Sequence, residues 1–487
     1  PVFAYYLGMF FRLFGLEFIF ISKLLFFLTY LLSGLFMYLL VNALFVNPFA
    51  AVTAAAFFVF APYHAVDVYV RGAMTESWGI VFFPAIFFSI FRFSQQPKNP
   101  FYFTLTALSL AGLFLAHNIM TLLFTPVAFL WGLFWFSIHR QLKQLFRLPL
   151  SFFLGVGLSA FFLLPAFLER SLVKIDTLTS DYYNYRLHYA SVRQLFFDRS
   201  WGYGPSQPGP EDKLSLQLGW PHWWISFSGI LATIFLFFKK KRQEFLISFF
   251  ASLLYLGALA MTHSKSVYLW DRLPLLAFVQ FPWRFLGIAM FAGAILSGSL
   301  FLFIKKKYHL YLAITLSFFI IALNFGYFRV DQYDPQMTDE KKLSGKEYTI
   351  QSMATLMDYM PTQVQEFPKE LAPDSPWIVT GDAQISQFRK RSNFWRFTVE
   401  NSTNQPATIK VPVFNFPHWT VLLDQQPVAF RDNNPEGVIE LDIPPVKYTV
   451  VGRFENTPLR SVANALSMTS LVALILYLVI SDKKSLS

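Results

Sequence analysis

Eleven apolar runs, at 18–45, 49–64, 77–94, 101–116, 118–138, 148–168, 221–238, 244–262, 285–304, 308–327 and 462–480, leave little choice of fold class. A helix needs about 20 apolar residues to cross a bilayer, and only a helix or a closed barrel satisfies its backbone there. The runs at 49–64 and 101–116 are short and are expected to borrow residues from their loops. Only 14% of residues are charged, against about 25% in soluble domains. The expectation is a polytopic α-helical membrane protein with about eleven transmembrane helices.

Charge placement gives an orientation. The net charge of +11 does not point to nucleic acid, because the cations fall in short loops between apolar runs. Arg92 and Lys98, then Arg140, Lys143 and Arg147, then Lys239 to Arg242, Lys305 to Lys307, and Lys483 and Lys484 alternate along the chain. Cytoplasmic loops are enriched in Lys and Arg. With eleven spans, these loops share the cytoplasmic side, and 65–76, 117–118, 169–220, 263–284 and 328–460 face out. The sequence has no Cys, which excludes disulfides and thiolate chemistry.

Five parts follow: a membrane module at 1–168, an outer loop at 169–220, further spans at 221–327, an outer domain at 328–460, and a last span with a short tail at 461–487. Residues 1–16 are too short to cross and contain Arg12, so they are expected to lie along the outer interface. The chain starts at Pro1 without a basic leader or cleavage site, so an N-terminal truncation is expected, and because the first run enters from outside, so is at least one upstream span. Residues 328–460 hold 14 Lys and Arg against 17 Asp and Glu, reversing the basic balance elsewhere. From about 392, NFWRFTVEN, ATIKVPVFNF, WTVLLD, PVAF, GVIELDI and KYTVVGRF alternate in the strand manner, with DNNPEG as a turn. They predict an antiparallel β-sandwich before the last helix.

The chain carries no Walker loop, no dinucleotide fingerprint, no G-x-S-x-G and no H-E-x-x-H, and its eight His show no metal-ligand spacing. Polar residues at the outer ends of spans are the remaining candidates. Asp67, Arg71 and Glu76 stand within ten positions in HAVDVYVRGAMTESWG. Ionised groups there are costly unless paired, hydrated or used. Asp67 and Arg71 could form a plain i,i+4 pair with Glu76 favoured by a helix dipole, or a carboxylate could act as base while Arg71 holds a phosphate. His117 and Asn118 form a polar corner that suits a helix end as well as a substrate. Glu169 and Arg170 suit an interfacial ion pair. The 169–220 loop adds Asp176, Asp181, Asp198, Glu211 and Asp212 amid aromatics. Gln280 and Arg284 lie in SVYLWDRLPLLAFVQFPWRFLG, where Arg284 suits a bidentate phosphate contact and Trp with Arg suits interfacial anchoring.

Several of these stretches carry a resemblance. APYHAVDVYVRGAMTESW, LFLAHN, FFLLPAFLE, QLGW at 217–220, DYMP at 358–361 and above all WDRLPLLAFVQFPWRFLG resemble the large bacterial membrane proteins called 6-pyruvoyl-tetrahydropterin-synthase-related. FNFPHWTVLLDQQPV and RFENTPLRSVANALSM are similar to the C-terminal region of YfhO-like proteins, and the resemblance covers nearly the whole chain. It implies a GT-C glycosyltransferase fold, with residues 1–168 as a module lacking its first helix, and a catalytic Asp upstream of Pro1. Asp67 and Glu76 would then form the second acidic site, and the chain as given would be inactive without the upstream Asp.

What the resemblance implies about activity is transfer of a sugar from a polyprenyl-phosphate donor to an envelope glycan or polymer, at the outer face of the bacterial cytoplasmic membrane. Asp67 and Glu76 would serve catalysis, with Arg71, His117, Asn118, Glu169, Arg170, Gln280 and Arg284 contacting substrate. Arg284, Arg71 and Arg170 would take the lipid phosphate. No organic cofactor or defined metal site is expected, a divalent cation at the carboxylates stays open, and membrane lipid but no nucleic acid is an expected partner. Two alternatives remain: a non-catalytic envelope scaffold, and a transporter or flippase of a lipid-linked intermediate.

Overall fold

The computed structural model describes residues 1–209, 212–353 and 359–486. Glu211 and Asp358 (the latter in DYMP) lie outside the described residues. The chain is mostly helical, with a C-terminal β-sheet domain. Among the described residues, eight helices are long and apolar enough to cross a membrane: Phe18–Phe45, Met74–Gln95, Asn118–Ile138, Trp220–Phe238, Arg242–Thr262, Pro282–Phe303, Lys306–Tyr327 and Pro458–Ser481. Two further apolar runs are bent pairs, Pro48–Val59 with Pro62–Val70 and Leu142–Leu158 with Ala160–Leu168, and Pro100–Ala116 is a shorter apolar helix. The architecture is that of a multi-pass membrane protein.

Both bends have local causes. Ala61 precedes Pro62 and takes an extended backbone at ψ 136°, because a proline ring disfavours helix at the residue before it; the two helices meet at 47°. The 80° bend falls after Ser159, whose hydroxyl bonds back to the Gly155 carbonyl at 2.8 Å. The Phe161 N–H beyond the break is capped instead by the Ser467 hydroxyl at 2.9 Å.

The chain divides into two compact units. The first comprises residues 1–163, 178–336 and 466–487 and holds the helical core. Phenylalanine fills that core: Phe83 stacks on Phe124 at 3.8 Å, Phe87 on Trp131 at 4.6 Å, and Phe291 meets Phe87 edge-on at 4.8 Å. The Met74–Gln95 and Pro282–Phe303 helices are the most buried, while Pro458–Ser481 is largely exposed. At the start of the chain, the Phe3–Arg12 helix buries Ala4 against Ile21, Leu25 and Trp78 and leaves Tyr5, Tyr6, Met9 and Phe10 outside. That one-sided apolar face fits a helix lying in an interface.

The second unit comprises 164–177 and 337–465. Its strands are β1 (Trp377–Thr380), β2 (Gln384–Arg391), β3 (Phe394–Asn401), β4 (Ala407–Phe414), β5 (Trp419–Leu423), β6 (Gln426–Val428), β7 (Val438–Ile443) and β8 (Val446–Phe454). They form a three-stranded sheet in the order β1-β4-β7 and a five-stranded sheet in the order β2-β3-β8-β5-β6, all antiparallel. Trp395, Phe397 and Val399 alternate along β3 into a core shared with Ile409, Val411, Ile439, Leu441 and Val450. The expected strands from 392 onward are present, although PVAF is strand only to Val428. The β1 and β2 strands were not expected, since QISQFRKR is almost wholly exposed and lacks apolar alternation. The 164–177 segment joins this unit through Lys174 N–H to the Met360 carbonyl and Tyr359 N–H to the Lys174 carbonyl, at 2.8 and 3.1 Å.

Candidate functional site

The site begins with an irregular piece of backbone. Residues Val66–Val70 make a π-helical turn, and the Arg71 N–H bonds to the Val66 carbonyl at 2.9 Å. Such turns insert one extra residue and re-aim side chains. Gly72 follows with φ +58°, a conformation that favours glycine, and the chain turns into the Met74–Gln95 helix. Glu76 therefore falls in the first turn of that helix, where the dipole favours an anion.

The Arg71 guanidinium bridges the two carboxylates. Its Nη1 donates to Asp67 Oδ1 at 2.5 Å and its Nη2 to Glu76 Oε2 at 2.9 Å. Ser77 Oγ donates to the other Asp67 oxygen at 2.9 Å, and Tyr63 donates to Glu76 Oε1 at 2.6 Å. Arg284, 208 residues further along, brings Nε to 3.3 Å from Glu76 Oε2. Its Nη1 donates to the Val279 carbonyl at 2.7 Å and to Gln280 Oε1 at 2.9 Å. Asp67 and Glu76 are fully buried. Two carboxylates and two guanidiniums thus balance charge in a largely buried cluster, which is the condition under which buried ions persist.

Trp283 forms the floor. Its ring lies 4.7 Å from the Arg71 guanidinium and 5.9 Å from that of Arg284, and its Nε1 donates to Ser206 Oγ at 3.2 Å. Trp283 and Arg284 are both buried, so the interfacial-anchor reading of QFPWRF does not hold; they serve the cluster. Gln280 is also buried, with φ +66°, and ties Arg284 to the Leu178 carbonyl through Nε2 at 3.1 Å.

His117 caps the Asn118–Ile138 helix by accepting the Met120 N–H on Nδ1 at 3.1 Å. With Nδ1 an acceptor, the neutral ring carries its proton on Nε2, which lies 4.0 Å from Glu76 Oε2. Burial pushes the His117 pKa down to about 3, although Glu76 pulls the other way. Burial also opposes the charge on Arg71, but Glu76 and Asp67 outweigh it and hold the guanidinium protonated. Arg71 retains 17% of its side-chain exposure. It is the most exposed member of the charged set and the one an incoming anion would meet.

Other predicted residues fall elsewhere. Asn118 is exposed at the first position of its helix. Glu169 pairs with Arg460 (Oε2 to Nη2, 2.7 Å) and accepts from Thr457 at 2.9 Å, so its ionic partner is not its neighbour Arg170. Arg170 instead lies over the Phe167 ring at 4.9 Å, and both residues belong to the second unit. QLGW is explained by packing: Gly219 has φ +89°, and a Cβ there would sit 2.7 Å from the Pro62 ring.

Tyr63 and Ser77 were not singled out from sequence, and Trp283 only as an interfacial anchor. Tyr63 and Ser77 flank the charged triplet, but nothing in the sequence shows which neighbours turn inward. Among the described residues, no group of three or more His, Asp or Glu is poised to hold a metal ion. A divalent cation between Asp67 and Glu76 would have to displace Arg71. No protein-family model matches the chain, and no curated protein matches it.

Proposed function

We propose that the chain is a membrane glycosyltransferase of the GT-C-like type, in which about eleven helices carry a site for a polyprenyl-phosphate-linked sugar and an envelope acceptor. The observation that carries this reading is convergence. Carboxylates at 67 and 76, cations at 71 and 284 and the imidazole at 117 come from three separate segments to one network. Sugar transfer from a lipid phosphate needs this chemistry: a carboxylate accepts the acceptor hydroxyl proton as the new glycosidic bond forms. The bond from the sugar carbon to the phosphate oxygen breaks, its electron pair leaves with the phosphate, and cations stabilise the charge. In this reading Arg71, the more exposed of the two cations, would meet that phosphate, with Arg284 behind it. In this reading 67–76 is an acidic site that faces outward by the distribution of Lys and Arg.

The test is transfer from polyprenyl-phosphate sugars to envelope acceptors by the full-length protein in membranes. Arg71→Ala or Arg284→Ala should lower turnover by about 100-fold, the usual cost of one transition-state donor. Turnover unchanged in both, with the proteins folded, would remove these residues from the phosphate role. One observation favours the scaffold alternative: the four charges already neutralise one another. That reading expects no transfer and no change in the cluster's stability when such lipids are added.

A further inference from the structure

A second feature lies in the first unit, on helices that contribute nothing to the charged cluster. The Pro100–Ala116, Arg147–Leu158 and Pro458–Leu486 helices frame a cavity of about 260 Å³. Its wall is apolar apart from its rim: Phe103, Leu150, Leu154 and Leu474 line it, and Arg147 and Tyr477 stand together at one end. Phe103 meets the Tyr477 ring edge-on at 5.2 Å. Arg147 Nη1 is 3.0 Å from the Pro97 carbonyl and 3.5 Å from the Tyr477 hydroxyl, so among the described residues the acceptors that hold the guanidinium are neutral.

Charge makes that rim unusual. From Ser77 to Leu168 the sequence contains Arg92, Lys98, Arg140, Lys143 and Arg147 and no Asp or Glu. Among the described residues, Arg147 has no carboxylate within ion-pair distance, in contrast to Arg71 and Arg284. A cation held at the mouth of an apolar groove, on apolar helices of which Pro458–Ser481 is long enough to cross a membrane, is complementary to an anionic headgroup with an attached hydrocarbon chain. Basic pockets between transmembrane helices recognise acidic lipids in this way.

We propose that this groove binds an anionic diacyl phospholipid. Its phosphate would sit against Arg147 and the Tyr477 hydroxyl, and one acyl chain would lie along Phe103, Leu150, Leu154 and Leu474. Lys143 and Arg140 precede Arg147 by four and seven residues and add positive charge to that stretch of the chain. The occupant is a bilayer lipid, since free phosphate would leave the apolar wall unused. This inference does not depend on the proposed glycosyltransferase activity.

The experiment is native mass spectrometry of the full chain in micelles doped with phosphatidylglycerol or, in parallel, phosphatidylcholine. Wild type should retain one phosphatidylglycerol and discriminate against phosphatidylcholine. Arg147→Gln should weaken retention by about fivefold, the factor for one cation near an anionic lipid surface. Ala473→Phe keeps the cation but fills the groove, and should abolish the bound species. Circular dichroism and the micelle-bound mass establish that each variant is folded. Equal retention of both lipids, or retention unchanged in both variants, overturns the proposal. So does a groove closed by a second copy, seen as a dimer that Ala473→Phe disrupts, or competition by inorganic phosphate at millimolar concentration.

Discussion

Two ionic networks in this protein use the same chemical groups in opposite settings. In the helical unit, Arg71 bridges Asp67 and Glu76 with side-chain exposures of 17%, 0% and 1%. In the β-sandwich, Arg431 bridges Glu440 and Asp442 with exposures of 45%, 15% and 44%. Each is one guanidinium between two acids. The buried one is backed by Arg284, Tyr63, Ser77 and Trp283; the exposed one ties two positions on β7 to the approaching chain, with Thr408 on β4 also bonding Asp442. Water and salt screen the exposed network, so its contribution is small. In the buried network each charge depends on the others, because a stranded ion in a dry interior is costly.

Glu76→Gln should break this comparison most sharply. It removes the carboxylate shared by Arg71 and Arg284 and leaves the buried Arg284 and the partly buried Arg71 with one acid. A loss of about 3–5 kcal/mol is expected, read as a lower unfolding midpoint in detergent. A shift within 1–2 °C would mean the cluster is hydrated.

Next in size is a test of the sandwich core, where packing and not charge should dominate. Gly452 on β8 faces Trp395, whose ring atoms would lie 2.0–2.4 Å from an added Cβ. Gly452→Val should cost about 1–3 kcal/mol by overpacking, and more than any change to the Arg431 network. The reverse ranking would show that surface charge holds the sandwich together.

His117 gives a pH-dependent test. Its folded pKa of about 3 lies below the ordinary histidine value of 6.5, so the folded state resists protonation more than the unfolded chain does. The stability it contributes is therefore complete above pH 6.5 and is lost as pH falls from there towards 3. At pH 5.5 the loss should be about 1.4 kcal/mol, one pKa unit's worth. His117→Gln should flatten that part of the stability profile, and an unchanged slope would place the proton elsewhere.

The smallest effect should come from Arg431→Ala, at about 0–1 kcal/mol and fading in high salt. A loss above 2 kcal/mol would show that this exposed network is more rigid than its accessibility suggests.

Much of this protein is legible along the chain. Apolar run length sets the spans, because the bilayer fixes how much helix must be apolar. Alternation in NFWRFTVEN and GVIELDI marks β3 and β7, because a strand with one buried face shows it every second residue. Even the Asp67–Arg71 pair is a local event at i,i+4 spacing. The β2 strand was not legible, since QISQFRKR is ordered by pairing with β3 and not by its own pattern.

What only tertiary structure decided is which charges belong together. Glu169 stands beside Arg170 in sequence yet pairs with Arg460, and Arg284 reaches Glu76 across 208 residues. Tyr63, Ser77 and Trp283 acquire their roles only when the helices pack. Periodicity is a property of neighbouring residues and survives in the sequence. The pairing of buried charges depends on which surfaces meet, and no local pattern records that.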